Sequence, residues 1–208
     1  MQAIKNRRPI QSRSSKLAQR LAARLARTAI TPNQISVLSV VFALAGALCL
    51  VLLPGPIGTL ACALGIQGRL ACNLLDGMVA VEGGKRSALG DLFNEFPDRI
   101  ADSIFIVALG YATDLPALGW FGALAAALTA YIRVFGGSLG LPQDFRGPMA
   151  KQHRMAVMTL ACLVGAFEHL LTGTVYALTA AAVVIAVGCA ITCVTRTLAI
   201  ASRLQRSS

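Results

Sequence analysis

Besides Glu82, seven acidic and amide side chains lie within thirty residues of a strongly apolar chain. They are Asn73, Asp76, Asp91, Asn94, Glu95, Asp98 and Asp102. Carboxylate and amide oxygens are the ligands that hard divalent cations such as Mg²⁺, Mn²⁺ or Ca²⁺ prefer, and neither Cys nor His lies among them. The residue types therefore point to a site for a divalent cation and its chemistry.

The spacing of these residues places them on two helix faces. On a helix over Ala88–Ala112, at about 100° per residue, the five later residues fall within an arc of about 100°. Asn73 and Asp76 share a face of the preceding segment, because residues three apart are neighbours on a helix. The short loop Glu82–Arg86 brings the two helix ends together. A solvated helix end is the alternative, but it explains poorly why the acids continue as far as Asp102.

The elements that must position these residues are membrane helices. Of the 208 residues, 56% are apolar and only 13% are charged, and the mean hydropathy is +0.67. This composition indicates one integral membrane domain. Six segments are long enough to cross about 30 Å of hydrocarbon: Gln34–Leu53, Ile57–Ala80, Ala88–Ala112, Leu115–Phe135, Met155–Leu171 and Val175–Val194.

Basic residues alternate along the connections between these segments. The N-terminal arm and the loops at Lys85 and Lys151 are basic, whereas the loops at Pro54-Gly-Pro56 and Thr113-Asp114 lack Lys and Arg. The positive-inside tendency predicts cytoplasmic termini and six crossings. The net charge of +10 then marks one membrane face beside anionic lipid, and no nucleic-acid partner is required.

The basic arm contains an amphipathic pattern before the first crossing. Leu17, Leu21 and Leu25 recur at steps of four between basic residues, which predicts an N-terminal interfacial helix. A mitochondrial-type presequence is the alternative.

The predicted division is an arm over 1–30, a six-helix membrane domain over 31–200 and a basic tail over 201–208. The six Cys residues are scattered in apolar runs and are interpreted as packing residues.

Two motifs resemble the CDP-alcohol phosphotransferase family. Asp76-Gly77-x-x-Ala80 followed by Gly90-x-x-x-Asn94-x-x-x-Asp98 matches the spacing of the family pattern D-x-x-D-G-x-x-A-R, about eight residues, G-x-x-x-D-x-x-x-D. The segment Thr31-Pro-Asn-Gln-Ile-Ser36 is similar to the family's T-P-N-x-[IV]-[ST] opening. The resemblance spans nearly the whole chain after the arm.

The resemblance implies a membrane enzyme of phospholipid synthesis. Such an enzyme transfers a substituted phosphate from a CDP-alcohol, such as CDP-diacylglycerol, to an alcohol acceptor and releases CMP. The implied metal is Mg²⁺ or Mn²⁺, with Asp98 also serving as the catalytic base. The implied residues are Asn73, Asp76, Asn94 and Asp98 for metal; Asp76, Gly77, Ala80, Lys85, Ser87 and Gly90 for the CDP donor; and Arg133, Lys151 and Arg154 for a phosphorylated acceptor.

Three positions depart from the family pattern. Asn73 and Asn94 replace two of the four motif aspartates, and Val81 replaces the arginine. The resemblance implies that the four aspartates hold two divalent ions. Asn offers an oxygen but no charge, so weaker metal binding or a single tightly held ion is expected. Asp91 and Glu95 could restore negative charge. Arg69 lies four residues before Asn73, and it is expected to pair with Asp98 or Glu95.

Two other function classes remain open from the sequence. A non-catalytic relative that binds lipid or nucleotide is favoured by the two asparagines. A small transporter is disfavoured, since the acids cluster towards one face and no internal repeat is evident. A homodimer is expected from the resemblance and from the small residues of Ala43–Ala47 and Gly119–Ala130. The expected location is a bacterial inner membrane, with the active site facing the cytoplasm.

Overall fold

The computed structural model describes residues 15–53, 55–85 and 87–207, and the regular structure in these ranges is entirely helical. Its helices are α1 (Lys16–Ala26), α2 (Pro32–Leu52), α3 (Gly55–Glu82), α4 (Gly90–Ala112), α5 (Pro116–Ser138), α6 (Lys151–Thr172) and α7 (Tyr176–Ser207). Residues 1–14 of the predicted arm, Arg86 and the last tail residue, Ser208, lie outside the described ranges.

Four of the described helices, α2, α5, α6 and α7, are long and apolar enough to cross a membrane. The chain is therefore an all-α integral membrane protein, which confirms the predicted class. Helices α3 and α4 match two further predicted segments in length, but they carry the charged and amide residues of the motifs. By length and composition the described helices support four crossings, two fewer than the sequence predicts.

The described chain divides into two compact units. Unit 1 holds the described residues up to Phe42 together with Gln67–Ala101, and unit 2 holds Ala43–Ile66 and the residues from Asp102 onward. Helices α2, α3 and α4 each contribute one part to each unit. The Asp-Gly motif and Asp98 consequently belong to unit 1.

Helix α1 forms where the amphipathic pattern predicts a helix, but it buries a different face. Ala18 and Ala22 are buried in the core of unit 1, and Leu25 packs against that core. Leu17 and Leu21 remain 68% and 40% exposed. The alanine face therefore packs on the protein, which leaves two of the three leucines available to a membrane surface.

Small residues allow the helices of unit 2 to approach closely. A Cβ placed on Gly110 of α4 would lie 2.6 Å from the Cα of Gly119 in α5. A Cβ on Gly46 would lie 3.1 Å from the Cα of Gly65. Ala43, Ala47, Gly119, Gly122, Ala123, Ala125, Ala126 and Ala130 are all buried. Most of the small residues cited for a homodimer thus pack within the chain, and the homodimer stays a prediction.

The start of α7 is held by an acid from the preceding helix. Glu168 accepts hydrogen bonds from the backbone N–H of Tyr176 at 2.6 Å and of Ala177 at 2.8 Å. These N–H groups have no partner within the helix, so a carboxylate stabilises them. Glu168 therefore has a structural role in the α6–α7 connection. Four of the six cysteines, Cys62, Cys72, Cys162 and Cys189, are buried, which agrees with their predicted packing role.

Candidate functional site

The most connected motif residue is Asp98, which is 6% exposed on α4. Its Oδ1 accepts a hydrogen bond of 2.7 Å from Nδ2 of Asn73 on α3. The same oxygen lies 3.4 Å from Nη2 of Arg69, and that Nη2 also donates to the backbone carbonyl of Asp98 at 3.2 Å. Arg69 is fully buried. One turn of α3 thus presents a guanidinium and an amide to a single carboxylate oxygen.

Asp76 has a separate set of partners. It is 5% exposed, and its Oδ2 accepts a 2.6 Å hydrogen bond from the hydroxyl of Ser36 on α2. The backbone N–H of Gly77 donates to Oδ1 at 2.5 Å. Ser36 closes the Thr31–Ser36 motif, so the two sequence motifs meet at this hydrogen bond. The last residue of that motif therefore orients the aspartate of the Asp-Gly pair.

The remaining acids and amides on α4 are nearer the surface. Asn94 and Asp91 are exposed, and Glu95 is half-buried. Arg99, which the sequence analysis did not single out, lies 3.7 Å from Glu95 and 3.7 Å from Oδ2 of Asp98. The structure therefore joins Asn73 to Asp98, whereas Asn94 lies at the surface one turn earlier.

The loop between α3 and α4 is tied to the linker between α1 and α2. Nζ of Lys85 donates to the carbonyls of Thr28 at 2.5 Å and Ile30 at 3.1 Å. Nδ2 of Asn33 lies 3.4 Å from the hydroxyl of Ser87. The two loop residues predicted to contact the donor phosphates thus hold this part of unit 1 in place. Gly77, Ala80 and Gly90 are half-buried on the two helices.

The residues predicted for the acceptor lie in unit 2. Arg154 is 1% exposed, and its Nη2 donates to Oδ2 of Asp102 at 2.6 Å. Its Nη1 donates to the carbonyl of Met149 at 2.8 Å. Arg133 donates to Gln143 at 2.5 Å, and Lys151 is half-buried at the start of α6. Arg154 thus pairs with Asp102, the most buried of the seven acids and amides from which the sequence analysis starts.

Arg196 belongs to the same basic region, although it is not among the site residues predicted from the sequence. It is 4% exposed; its Nε donates to the carbonyl of Arg146 at 2.9 Å, and its Nη1 donates to the carbonyl of Thr129 at 2.5 Å. Thr192 and Arg196 are four residues apart on one face of α7 and are both buried. Continuing the helical periodicity past Val194 would have indicated this position.

Asp144 carries the acidic charge in the loop between α5 and α6. It accepts hydrogen bonds from Nε and the backbone N–H of Arg146 at 2.9 and 3.0 Å. Arg203 lies 3.3 Å away. Burial raises the pKa of Asp144, but these hydrogen bonds and the two positive charges outweigh burial and lower that pKa below 3.8.

The oxygen atoms of the predicted metal ligands partly suit a divalent cation. All four predicted metal ligands offer oxygen, which suits Mg²⁺ or Mn²⁺. However, the described residues contain no group of three or more His, Cys, Asp and Glu side chains that could hold a metal. Asp98 already faces the cation of Arg69 and the amide N–H of Asn73. An ion bound through Asp76 therefore stays a prediction, and a second ion with Asp98 as its main charged ligand does not fit the pairing of Asp98 with Arg69 and Asn73.

Comparison with solved structures identifies the fold. The chain is similar to Mycobacterium tuberculosis phosphatidylinositol phosphate synthase (PgsA1) with CDP-DAG bound, with a TM-score of 0.75 and 22% identity over 89% of this chain and 94% of that chain. The same protein in complex with manganese and citrate gives 0.75 and 24% identity over 88% of each chain. The apo form gives 0.70 and 24% identity over 86% and 93%.

These similarities define the class as a helical membrane protein with the fold of phosphatidylinositol phosphate synthase. The resemblance to the CDP-alcohol phosphotransferases that the motifs indicate is therefore confirmed at the level of the fold. No protein-family model and no curated protein sequence matches the chain.

Proposed function

We propose that the chain is a CDP-alcohol phosphotransferase that takes a CDP-linked lipid such as CDP-diacylglycerol as donor. The observation that most supports this proposal is the fold match, at a TM-score of 0.75, to a synthase with CDP-DAG bound. The Asp76-Gly77 and Gly90 to Asp98 spacing lies on two helices of one compact unit, which supports the proposal. Fold alone does not define an activity, so these residues carry the chemical part of the argument.

The reaction forms one bond and breaks one bond. The acceptor oxygen attacks the phosphorus that carries the lipid alcohol, the pyrophosphate P–O bond breaks, and CMP leaves. The hydroxyl proton goes to the carboxylate of Asp98. Asn73 and Arg69 both reach Oδ1 of that carboxylate, so its orientation is fixed before substrate binds. A preset orientation lowers the cost of positioning the base.

A divalent cation, Mg²⁺ or Mn²⁺, would neutralise the pyrophosphate charge when bound. The structure of the synthase with manganese and citrate supports a divalent ion in proteins of this fold. Asp76 is the charged ligand we assign, with the oxygens of Asn73 and Asn94 and the carboxylate of Asp98 as the other predicted ligands. Ser36 holds Asp76 through its 2.6 Å hydrogen bond.

The donor-binding residues remain those that the resemblance implies. Gly77, Ala80 and Gly90 are small, which would let a nucleotide approach the helix backbones. A Cβ on Gly90 would meet nothing closer than the hydroxyl of Ser87 at 3.9 Å. Lys85 has a third ammonium N–H beyond its hydrogen bonds to Thr28 and Ile30, and Ser87 accepts from Asn33 without using its own hydroxyl proton, so both would contact phosphate while keeping these hydrogen bonds.

Arg133, Lys151 and Arg154 stay the predicted acceptor residues, supported by the excess of cations around the α5–α6 loop. The supporting role of Asp91 and Glu95 also stays a prediction.

We further propose that α2 to α7 make six crossings with cytoplasmic termini, that α1 lies at the bacterial inner-membrane surface, and that the site faces the cytoplasm. A homodimer is proposed from the fold resemblance alone.

A non-catalytic relative that binds a lipid or nucleotide is the second candidate. The observation that favours it is that Arg69 balances the charge of Asp98 and Asn73 donates a hydrogen bond to it, because a carboxylate with these partners has less need of a metal. Binding of CDP-diacylglycerol without CMP release would identify such a protein.

The deciding experiment measures CMP. The purified chain is incubated with CDP-diacylglycerol, Mn²⁺ or Mg²⁺ and a panel of alcohols that includes glycerol phosphate, inositol phosphate and serine. We expect CMP to appear with one class of acceptor, and Asp98→Asn to lower the rate by about 10²- to 10⁴-fold, the usual contribution of a general base.

Asp114→Asn is the matched control for this experiment. Asp114 is exposed and has a φ of 56°, a left-handed conformation that Asn adopts as readily as Asp. The same chemical change at this position should leave CMP release unaltered. Equal rates in the wild-type chain and Asp98→Asn would remove the assigned base.

A further inference from the structure

The pairing of Arg69 with Asp98 gives the site a fixed positive charge. Arg69 is fully buried within α3, where an isolated cation would be costly. Its Nη2 reaches both Oδ1 and the backbone carbonyl of Asp98, at 3.4 and 3.2 Å. Two contacts to one residue hold the guanidinium at the carboxylate. The positive charge therefore belongs to the folded chain itself.

Asn73 completes this arrangement by donating to the same oxygen. Its Nδ2 lies 2.7 Å from Oδ1 of Asp98. A carboxylate at position 73 would bring two negative oxygens together and would need a shared cation, as like charges in contact are unfavourable. The amide removes this repulsion and adds a hydrogen bond. Both residues thus stabilise the negative charge of Asp98, Asn73 through a hydrogen bond and Arg69 through its positive charge.

The net charge at the four motif positions is therefore smaller than the net charge that four aspartates would give. The four motif positions carry two negative charges, from Asp76 and Asp98, and Arg69 reduces the sum to one negative charge. Arg99 also lies 3.7 Å from Asp98, but Glu95 lies at the same distance from Arg99 and balances its charge. Four aspartates would carry four negative charges. One divalent cation suffices for the smaller sum, whereas a second would be placed close to the buried guanidinium.

We propose that Arg69 takes the place of one divalent metal ion at Asp98, so that the chain binds a single divalent cation with Asp76 as its charged ligand. A divalent cation belongs to this site only through the proposed function, on which this inference rests. Asn73 then acts towards Asp98 as a hydrogen-bond donor, and Arg69 is a positioning residue that keeps the carboxylate oriented.

The test counts bound Mn²⁺ in the full-length chain in detergent, from the loss of the free Mn²⁺ electron paramagnetic resonance signal. The wild-type chain should bind one ion. Arg69→Gln should bind a second ion, or bind Mn²⁺ about 10- to 100-fold more tightly, the range seen when residues next to metal ligands change. Arg69→Lys keeps the charge and should bind one ion.

Arg24→Gln is the matched control, because Arg24 is exposed on α1 of the same unit. It removes the same formal charge and should leave the Mn²⁺ affinity unchanged. Two ions or none in the wild-type chain would overturn the proposal, even if Arg69→Gln fails to fold. An Arg69→Gln protein that is folded by circular dichroism and binds Mn²⁺ as the wild type does would also overturn it.

CMP release, measured on the same preparations, separates this inference from the proposed function. One bound ion without CMP release would count against the enzyme and leave the role of Arg69 intact. CMP release with two bound ions would support the enzyme and refute the role of Arg69.

Discussion

The buried pair of Arg154 and Asp102 allows a quantitative prediction about stability. The two side chains meet at 2.6 Å, and the residues are 1% and 2% exposed. Arg154→Met leaves the carboxylate of Asp102 buried without this partner, which costs about 3–5 kcal/mol. It also removes the 2.8 Å hydrogen bond to the carbonyl of Met149, which adds about 1 kcal/mol. We expect the free energy of unfolding to fall by about 4–6 kcal/mol.

A double-mutant cycle measures the pair itself. Asp102→Leu should also be strongly destabilising, because it leaves the guanidinium of Arg154 buried without its acid. The double variant Asp102→Leu, Arg154→Met replaces the pair by apolar side chains, a change that is often neutral or stabilising by about 1–4 kcal/mol. The double variant should therefore be more stable than either single variant.

The assay is reversible unfolding in mixed micelles, followed by far-ultraviolet circular dichroism as the fraction of denaturing detergent rises. Lys151→Met, one turn earlier on α6 at a half-buried position, is the control and should change stability by less than about 1 kcal/mol. Additive single effects, or an Arg154→Met protein within about 1 kcal/mol of wild type, would refute the reasoning and leave Arg154 available for an acceptor.

Three further predictions concern other parts of the molecule. Ser36→Ala removes the 2.6 Å hydrogen bond to buried Asp76 and should lower the free energy of unfolding by about 1.5–3 kcal/mol; no change would show that Asp76 does not depend on this hydroxyl. Asp144 has a lowered pKa, so its stabilisation relative to Asp144→Asn should be complete above pH 3.8 and disappear as the pH falls through the lower folded value; a difference that persists below that value contradicts this. In a cysteine-free background, Lys85→Cys and Asp114→Cys should be labelled from opposite sides of the membrane, and labelling from one side would refute the proposed topology.

The helices were largely predictable because apolar length and turn residues determine them locally. Helix α5 begins at Pro116, one residue from the predicted start at Leu115, since proline suits the first turn of a helix. Helix α7 continues to Ser207, well beyond the predicted end at Val194. Arg196 lies in this additional part of α7, where it is buried and donates to two backbone carbonyls.

The pairing of Arg69 with Asp98 was one of two alternatives expected from the sequence, and the structure confirms it, whereas the pairing of Arg154 with Asp102 could not be predicted from spacing. Arg154 and Asp102 are 52 residues apart in sequence, and a basic residue at a helix end has the same pattern whether it anchors in lipid head groups or pairs with a buried acid. The small residues of Gly119–Ala130 were ambiguous for a similar reason. Close packing in lipid favours small residues equally within one chain and between chains, and here those residues pack within the chain.

The role of Asn73 shows where a motif alone leaves the chemistry open. An asparagine offers a carbonyl oxygen to a metal and an N–H group to a carboxylate. The family motif, in which this position is a metal ligand, indicates a role only for the oxygen. Whether Asn73 uses its oxygen or its N–H group depends on the neighbouring charges, because a cation beside Asp98 lowers the need for a metal at that carboxylate. Arg69, one turn earlier on α3, supplies that cation at 3.4 Å from Asp98. The amide at position 73 is therefore best understood together with Arg69, as two parts of one arrangement around a single carboxylate.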